Sequence, residues 1–166
     1  GVLFLRIDTI TEKIVFQPEY VYPSNQKVYQ FHSRQTDTIL LTIDGQQIHL
    51  IHYFAHNPKG TILYCHGNRG NLKKWAVVAS EYVKYGYNVV AWDYQGYGKS
   101  TGKPTFSNIL TDGKTVFEYI RKTESNIILF GRSLGSGVAC KLSSQTNVSK
   151  IILETPYYSM KDVIHY

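Results

Sequence analysis

The residues best suited to chemistry lie at positions 131–135, which read Gly-Arg-Ser-Leu-Gly. This G-x-S-x-G pattern directly follows an apolar run at 127–130 and directly precedes a segment with a helical pattern. A serine in such a strand–turn–helix setting is held on a strained turn, where its hydroxyl is exposed and can act as a nucleophile. The pattern therefore predicts Ser133 as a catalytic nucleophile, accessible to solvent and with a backbone φ above zero.

The start of the same predicted helix offers a site for the negative charge that forms when a hydroxyl attacks a carbonyl carbon. The first N–H groups of a helix have no partner within it and lie at the positive end of its dipole. We therefore expect the backbone N–H of Leu134 to contribute to an oxyanion hole. The alternative is that Ser133 only caps the helix through its hydroxyl, as serine often does.

A second oxyanion donor is expected from residues 66–71, which read His-Gly-Asn-Arg-Gly-Asn and follow another apolar run. Glycines let the backbone approach a reacting centre closely, and the backbone N–H of Asn68 is the predicted donor. The alternative is a tight turn that Asn71 ends as the cap of the next helix. The two interpretations are compatible.

Other chemical patterns fail in this sequence. Gly98-Lys99-Ser100 matches the end of a phosphate-binding loop, but the glycine required five positions earlier is Asp93. No metal-ligand spacing is present, so we expect no metal site. Cys65 and Cys140 lie in apolar segments and are predicted to be buried free thiols that form no disulfide.

The segments around these motifs predict an α/β fold. Strand and helix patterns alternate from Thr61 to Leu153, which is typical of a mostly parallel sheet with helices on both faces. The predicted strands cover 61–65, 88–92, 126–130 and 150–153, and the predicted helices begin at about Asn71, Ser107 and Ser133.

The N-terminal third predicts antiparallel strands instead. Candidate strands cover 13–17, 36–43 and 46–54, and the last two are joined at Asp44-Gly45, a strong hairpin turn signal. Alternation in the second arm places Ile48 and Leu50 on one face and Ile51 on the other.

Composition limits the classes of partner. The 166 residues are expected to form one domain, and the net charge of +6 comes from Lys and Arg scattered along the chain. Because nucleic-acid binding requires a clustered basic face, we expect no nucleic-acid partner. The apolar stub Gly1–Leu5 is too short to span a bilayer. It is either the end of a membrane anchor or a first strand, so the localisation is either membrane-associated or cytoplasmic.

Four motifs follow one another along the chain: HGNRGN, DYQGYGKSTGKP, GRSLGSG and ILETPYYSM. With these motifs the chain resembles the α/β-hydrolase superfamily and, within it, the Bem46-like group. The resemblance covers residues 13–166. It implies a cofactor-free serine hydrolase acting on a small ester or thioester, with Ser133 as nucleophile and the N–H groups of Asn68 and Leu134 as oxyanion donors. Gln95 stands where arginine is commoner in the superfamily.

In this superfamily the catalytic residues follow the order serine, acid, histidine. The residues after Ser133 include Glu154, Asp162 and His165, none of which matches the expected setting. We therefore expect the acid and the histidine beyond residue 166, so that 1–166 is a truncated domain without its C-terminal strands and is inactive alone. The exposed edge at 150–153 would be covered by the rest of the domain or by another chain. The alternative function is a non-catalytic interaction module with the same fold.

Overall fold

Apolar segments form the inner strands of a six-stranded sheet in the computed structural model, which describes residues 15–19 and 34–157. Side chains of these strands are buried on both faces, as expected where helices cover a sheet on each side. The strands are β1 (Gln17–Pro18), β2 (Gln35–Leu41), β3 (Gln47–Tyr53), β4 (Thr61–Cys65), β5 (Arg69–Gly70), β6 (Asn88–Trp92), β7 (Ile127–Arg132) and β8 (Lys150–Glu154). The helices are α1 (Leu72–Ser80), α2 (Phe106–Ile120) and α3 (Leu134–Gln145).

The strand order in the main sheet is β2-β3-β6-β4-β7-β8. The pairs β2–β3 and β3–β6 are antiparallel, whereas β6–β4, β4–β7 and β7–β8 are parallel. The predicted α/β class, with N-terminal antiparallel strands joined to a mostly parallel sheet, is therefore confirmed. Because parallel strands end at the same edge, the turns after β4, β6 and β7 lie side by side.

The hairpin between β2 and β3 is also confirmed. Gly45 has a φ of 77°, a left-handed conformation that glycine adopts without steric cost. The predicted alternation along β3 holds as well, since Ile48 and Leu50 belong to one hydrophobic cluster and Ile51 to the other.

The two clusters correspond to the two faces of the sheet. Helix α1 packs Leu72, Trp75 and Ala76 into one cluster, followed by a 3-10 turn that ends at Gly86 with a φ of 86°. Helices α2 and α3 bury their apolar stripes in the other cluster. In the described ranges, the longest helix has 15 residues and none is long and apolar enough to cross a membrane.

Three local predictions are wrong. Helix α2 is capped by Thr105, whose hydroxyl oxygen accepts the N–H of Asn108 at 3.0 Å, so Ser107 lies inside the helix. Cys140 is exposed, because it falls beside the stripe that α3 buries, although both cysteines are free as predicted. The first strand is only the two residues Gln17–Pro18, which pair with β5, and residues 13 and 14 lie outside the described ranges.

Strands β2 and β8 form the two edges of the main sheet. Along β8, Ile151, Ile152 and Leu153 are each about two-fifths exposed, at 39%, 41% and 38%. The apolar edge expected at 150–153 is thus present. Its covering by further chain stays a prediction.

Candidate active site

Ser133 is the single residue that joins β7 to α3. Its backbone has φ 48° and ψ −115°, which is an uncommon conformation for a residue with a side chain. Its N–H donates to the carbonyl of Glu154 at 2.9 Å, which ties the turn to the end of β8. The predicted positive φ is confirmed, and the residue is partly exposed at the carboxyl end of a parallel strand.

Glycines on both sides make this sharp turn possible. A Cβ on Gly135 would lie 2.0 Å from the carbonyl oxygen of Cys65, and one on Gly131 would lie 2.6 Å from the carbonyl oxygen of Gly135. Both contacts involve backbone atoms, which cannot move without displacing β4 or α3. Helix α3 can therefore approach the sheet only with glycine at these positions.

The hydroxyl of Ser133 makes no capping hydrogen bond at the start of α3. Instead Ser136 donates both its N–H, at 2.8 Å, and its hydroxyl, at 2.6 Å, to the carbonyl oxygen of Ser133. The alternative in which Ser133 serves only as a helix cap is therefore wrong. As the first residue of α3, Leu134 has a backbone N–H without an acceptor inside the helix.

The loop after β4 lies beside this turn. Cys65 pairs with Gly131 in the register of β4 and β7, and a Cβ on Gly67 would lie 3.9 Å from the carbonyl oxygen of Arg132. Asn68 uses its side-chain amide to donate to the carbonyl of Val15 at 2.9 Å. Its backbone N–H meets no acceptor among the residues placed by the structure. The two predicted donor segments are thus neighbours.

The end of this loop behaves as predicted. Asn71 caps α1 by accepting the N–H of Lys73 at 2.9 Å through its side-chain oxygen. The carboxylate of Asp93 accepts the N–H of Leu72, the first residue of α1, at 3.0 Å. A buried carboxylate at a helix N-terminus is favoured by the free N–H groups and by the helix dipole.

His66 is fully buried, and its ring nitrogens contact groups other than the Ser133 hydroxyl. Its Nδ1 donates to the carbonyl oxygen of Gly67 at 2.6 Å, since a carbonyl oxygen can only accept. Its Nε2 lies 3.1 Å from a carboxylate oxygen of Asp93, outside hydrogen-bond geometry. Both ring nitrogens therefore face groups other than Ser133.

The remaining described histidines belong to other parts of the fold. His49 Nε2 lies 2.7 Å from a carboxylate oxygen of Asp37, and His52 Nε2 lies 3.6 Å from Glu124, with burial lowering the pKa of His52. His56 is exposed after β3. None of the imidazoles that the structure places contacts Ser133, and His32, Asp162 and His165 lie outside the described residues.

Glu154, the described carboxylate that follows the turn in sequence, is engaged with a cation. Arg132 Nη1 lies 3.1 Å from Glu154 Oε1, and the Arg132 guanidinium sits 5.3 Å from the ring centre of Trp75. The exposed Arg69, Lys73 and Lys74 occupy the adjacent loop and the first turn of α1. No cluster of three or more potential metal-binding side chains occurs in the described ranges.

Sequence reasoning missed two residues that touch the predicted oxyanion loop. The hydroxyl of Tyr94 donates to the carbonyl of His66 at 2.5 Å, and the hydroxyl of Tyr97 donates to the carbonyl of Asn68 at 2.8 Å. Both tyrosines are fully buried in the turn after β6. The available signal was a pair of tyrosines three positions apart, with Gln95 and Gly96 between them.

Gln95 in the same turn has a specific partner. Its backbone N–H donates to one carboxylate oxygen of Asp112 and its side-chain Nε2 donates to the other, both at 2.9 Å. Asp112 is a fully buried residue of α2. Burial raises the pKa of Asp112 to about 6, although the two hydrogen bonds from Gln95 oppose this rise. The neutral glutamine at a position where arginine is commoner thus leaves a buried carboxyl without a cationic partner among these contacts.

Comparison with known proteins shows that most of the chain matches a known protein family. Residues 56–165 match the model of the family described as serine aminopeptidase, S33. The match includes the loop at 66–71, the turn after β6 and the G-x-S-x-G motif.

Individual relatives are considerably longer than this chain. Protein bem46 of Schizosaccharomyces pombe is 36% identical over 111 residues, covering 63% of this chain and 37% of its own length. The lysophosphatidylserine lipase ABHD12 of Xenopus tropicalis is 33% identical over 114 residues, covering 61% of this chain and 28% of its own. The chain thus spans half or less of the length of these curated relatives.

Solved structures share the fold at low sequence identity. An α/β hydrolase from Vibrio vulnificus matches with a TM-score of 0.76 at 19% identity, over 96% of this chain and 61% of that one. An esterase from Pyrococcus furiosus matches with a TM-score of 0.69 at 21% identity, over 86% of this chain and 56% of that one. These similarities establish the α/β-hydrolase fold.

Proposed function

Because this chain belongs to the α/β-hydrolase family described as serine aminopeptidase, S33, we propose that it carries the nucleophile of a serine hydrolase that cleaves an ester or thioester. Ser133 is the nucleophile, and the backbone N–H groups of Leu134 and Asn68 form the oxyanion hole. The acid and the histidine that complete the triad follow beyond Tyr166, in agreement with the serine–acid–histidine order.

One observation carries this proposal: Ser133 occupies a backbone conformation with φ 48° and leaves its hydroxyl out of the helix cap. Strain of this kind costs roughly 1–3 kcal/mol and tends to occur at functional sites. A structural serine at the start of a helix would instead accept an N–H of the first turn. Ser136 donates to the backbone carbonyl of Ser133, and the hydroxyl of Ser133 makes no capping hydrogen bond.

The proposed reaction proceeds through an acyl-enzyme. The histidine removes the hydroxyl proton as Ser133 Oγ forms a bond to the acyl carbon, and the carbonyl oxygen becomes an oxyanion held by the two N–H groups. The histidine then returns the proton to the leaving alkoxide or thiolate, and water releases the acid by the same steps. Neither a metal nor a redox cofactor takes part.

The substrate class rests on chemistry and on relatives. An oxyanion hole and a serine suffice for acyl transfer, and one similar protein is a lysophosphatidylserine lipase while a structural neighbour is an esterase. Each of those names indicates cleavage of an acyl ester. We therefore favour an acyl ester or thioester for this chain.

The test uses the protein made from its complete reading frame, with a fluorophosphonate probe that reacts with activated serines and with p-nitrophenyl butyrate as substrate. We expect Ser133→Ala to abolish both labelling and turnover. Ser144→Ala, an exposed serine on the same helix, is the matched control and should retain both. The 166-residue chain alone should show no turnover that depends on Ser133.

Two results would contradict the proposal in different ways. Turnover that survives in Ser133→Ala would remove the nucleophile assignment from Ser133. Equal Ser133-dependent turnover by the short chain and the complete protein would instead leave the nucleophile in place. The base would then have to lie within residues 1–166, and His165 would be the next residue to mutate.

A further inference from the structure

Four successive carbonyl groups of the loop after β4 each accept a hydrogen bond from a side chain. The carbonyl of His66 accepts from Tyr94, and that of Gly67 accepts from the ring of His66 at 2.6 Å. The carbonyl of Asn68 accepts from Tyr97 and also from the backbone N–H of Gln17 at 3.2 Å. The carbonyl of Arg69 accepts from the Trp75 indole N–H at 2.6 Å.

Fixing a carbonyl also fixes an N–H. Each peptide group is planar, so the carbonyl oxygen of one residue and the N–H of the next point in opposite directions within one rigid plane. The N–H of Asn68 shares its plane with the carbonyl of Gly67. The planes on either side contain the carbonyls of His66 and Asn68, which are the two groups held by tyrosine hydroxyls.

The turn after β6 is built to present both tyrosines to this loop. Gly96 and Gly98 have φ values of 79° and 51°, and a Cβ on Gly98 would lie 2.0 Å from a carboxylate oxygen of Asp93. Tyr97 N–H donates to the carbonyl of Tyr94 at 2.9 Å and closes the turn. The two rings pack edge to face, with centroids 5.4 Å apart.

We propose that Tyr94 and Tyr97 are positioning residues for the oxyanion hole, because their hydroxyls hold the two peptide groups that flank the one bearing the Asn68 N–H. The inference rests on the proposed function and extends it from the groups that touch the substrate to those that aim them. The two hydroxyls hold the peptide groups before and after the one that carries the Asn68 N–H. The ring of His66 hydrogen-bonds to the carbonyl of that middle peptide group.

The role belongs to the hydroxyls rather than to the rings. Both rings are part of the hydrophobic core, where phenylalanine would fill nearly the same volume. Replacement of either tyrosine by phenylalanine would therefore remove mainly the hydrogen bond to the loop carbonyl. Burial also raises the pKa of both phenols above their ordinary value, so they remain protonated donors across the working range of pH.

The test compares wild type, Tyr94→Phe, Tyr97→Phe and the double variant of the complete protein, with p-nitrophenyl butyrate as substrate. Tyr64→Phe is the matched control, because Tyr64 is buried on β4 and its hydroxyl lies near the Arg132 guanidinium instead of holding a carbonyl of the loop after β4. Each enzyme is also titrated with an alkyl trifluoromethyl ketone. A serine adds to this inhibitor to form a tetrahedral oxyanion.

We expect each single variant to lower kcat by about 10- to 100-fold with KM changed less than about threefold, since misplacing a catalytic group by about 1 Å costs roughly that much. The inhibition constant of the ketone should rise by the same factor as kcat/KM falls. Tyr64→Phe should leave both values within about twofold of wild type.

Three outcomes would overturn the inference. The first is wild-type kcat in both single variants. The second is a fall in kcat that follows a fall in Tm while the ketone binds as tightly as to wild type, which would indicate a merely structural role. The third is the absence of any Ser133-dependent turnover in wild type, and only this outcome removes the proposed function as well.

Discussion

Two neighbouring turns at the carboxyl edge of the sheet carry the proposed nucleophile and the proposed oxyanion donor, and they are held in place by different kinds of contact. The turn after β7 is a single residue, Ser133, whose strained conformation is enforced by glycines and by contacts between backbone atoms. The turn after β4 runs from His66 to Asn71 and is held by side chains that come from the turn after β6 and from α1. The first turn is constrained by close backbone contacts around its glycines, whereas the second is held by hydrogen bonds from side chains elsewhere in the chain.

This difference teaches how tolerance to mutation is distributed. Backbone-to-backbone contacts cannot relax when a side chain is added, so the turn after β7 should fail abruptly. Hydrogen bonds from phenols and an indole can be removed one at a time, each with a modest net cost in stability. The turn after β4 should therefore lose function gradually while the fold persists.

The largest effect is expected at Gly135, and it tests whether the turn after β7 is limited by backbone contacts. Gly135→Ala should lower the free energy of unfolding by more than about 3 kcal/mol, beyond the usual cost of overpacking, because its Cβ would overlap the carbonyl of Cys65. Soluble yield and urea unfolding measure this loss.

Gly137→Ala is the matched control on the same helix. Its Cβ would lie 2.1 Å from the hydroxyl oxygen of Tyr157, the far end of a side chain that can shift. The gain in helix propensity, up to about 1 kcal/mol, should offset much of that adjustment. Similar losses of stability in the two variants would contradict the distinction between the two kinds of contact.

The next effect concerns the remote support of the turn after β4, through the buried carboxyl of Asp112. Its folded-state pKa of about 6 lies above the ordinary value of 3.8, so between these values the native state binds more protons than the unfolded state. The contribution of Asp112 to stability therefore increases as the pH falls from 7 to 4. Over the whole titration, the contribution of Asp112 to the free energy of unfolding changes by about 3 kcal/mol.

Urea unfolding of wild type and Asp112→Asn at pH 7, 6, 5 and 4 checks this prediction. The stability of wild type relative to the variant should rise toward pH 4, most steeply between pH 6 and 4. Glu118→Gln, a partly exposed carboxyl on the same helix, should give a much flatter difference. Parallel curves for wild type and Asp112→Asn would show that Asp112 does not titrate abnormally.

The smallest effect concerns the strain stored at Ser133. Glycine adopts a positive φ readily, so Ser133→Gly should be more stable than Ser133→Ala by about 1 kcal/mol, after the entropic cost of glycine is subtracted. Inside a regular helix the order reverses, and Ser144→Gly should be less stable than Ser144→Ala. Thermal unfolding of the four variants measures both signs, and the same sign at both positions would argue against strain at Ser133.

The two turns also differ in what the sequence could predict. Gly131, Ser133 and Gly135 lie within five residues, between an apolar run and a helical pattern. Their spacing in this local setting indicated the turn, its positive φ and the helix that follows. The loop at 66–71 was recognised, but its supports were not. Tyr94 and Tyr97 lie more than twenty residues away, and nothing in their types indicates that their hydroxyls point to that loop.

The errors have the same origin. Ser107 and Thr105 are both good cap residues, and only the fold decides which of them begins α2. Cys140 lies in an apolar segment, but the orientation of α3 on the sheet decides which of its faces is buried. Local chemistry predicts the kind of element, whereas packing determines its ends and its rotation.

The contrast between the two cysteines provides an internal reporter of folding. Cys140 is exposed on α3, whereas Cys65 is fully buried on β4, where burial raises the pKa of its thiol to about 12. A thiol reagent should therefore modify Cys140 at once and Cys65 only when the central strands separate. The amplitude of the fast phase then measures the amount of protein, and the rate of the slow phase measures how often the sheet opens beneath the carboxyl ends of its parallel strands. No label or engineered residue is needed for that measurement.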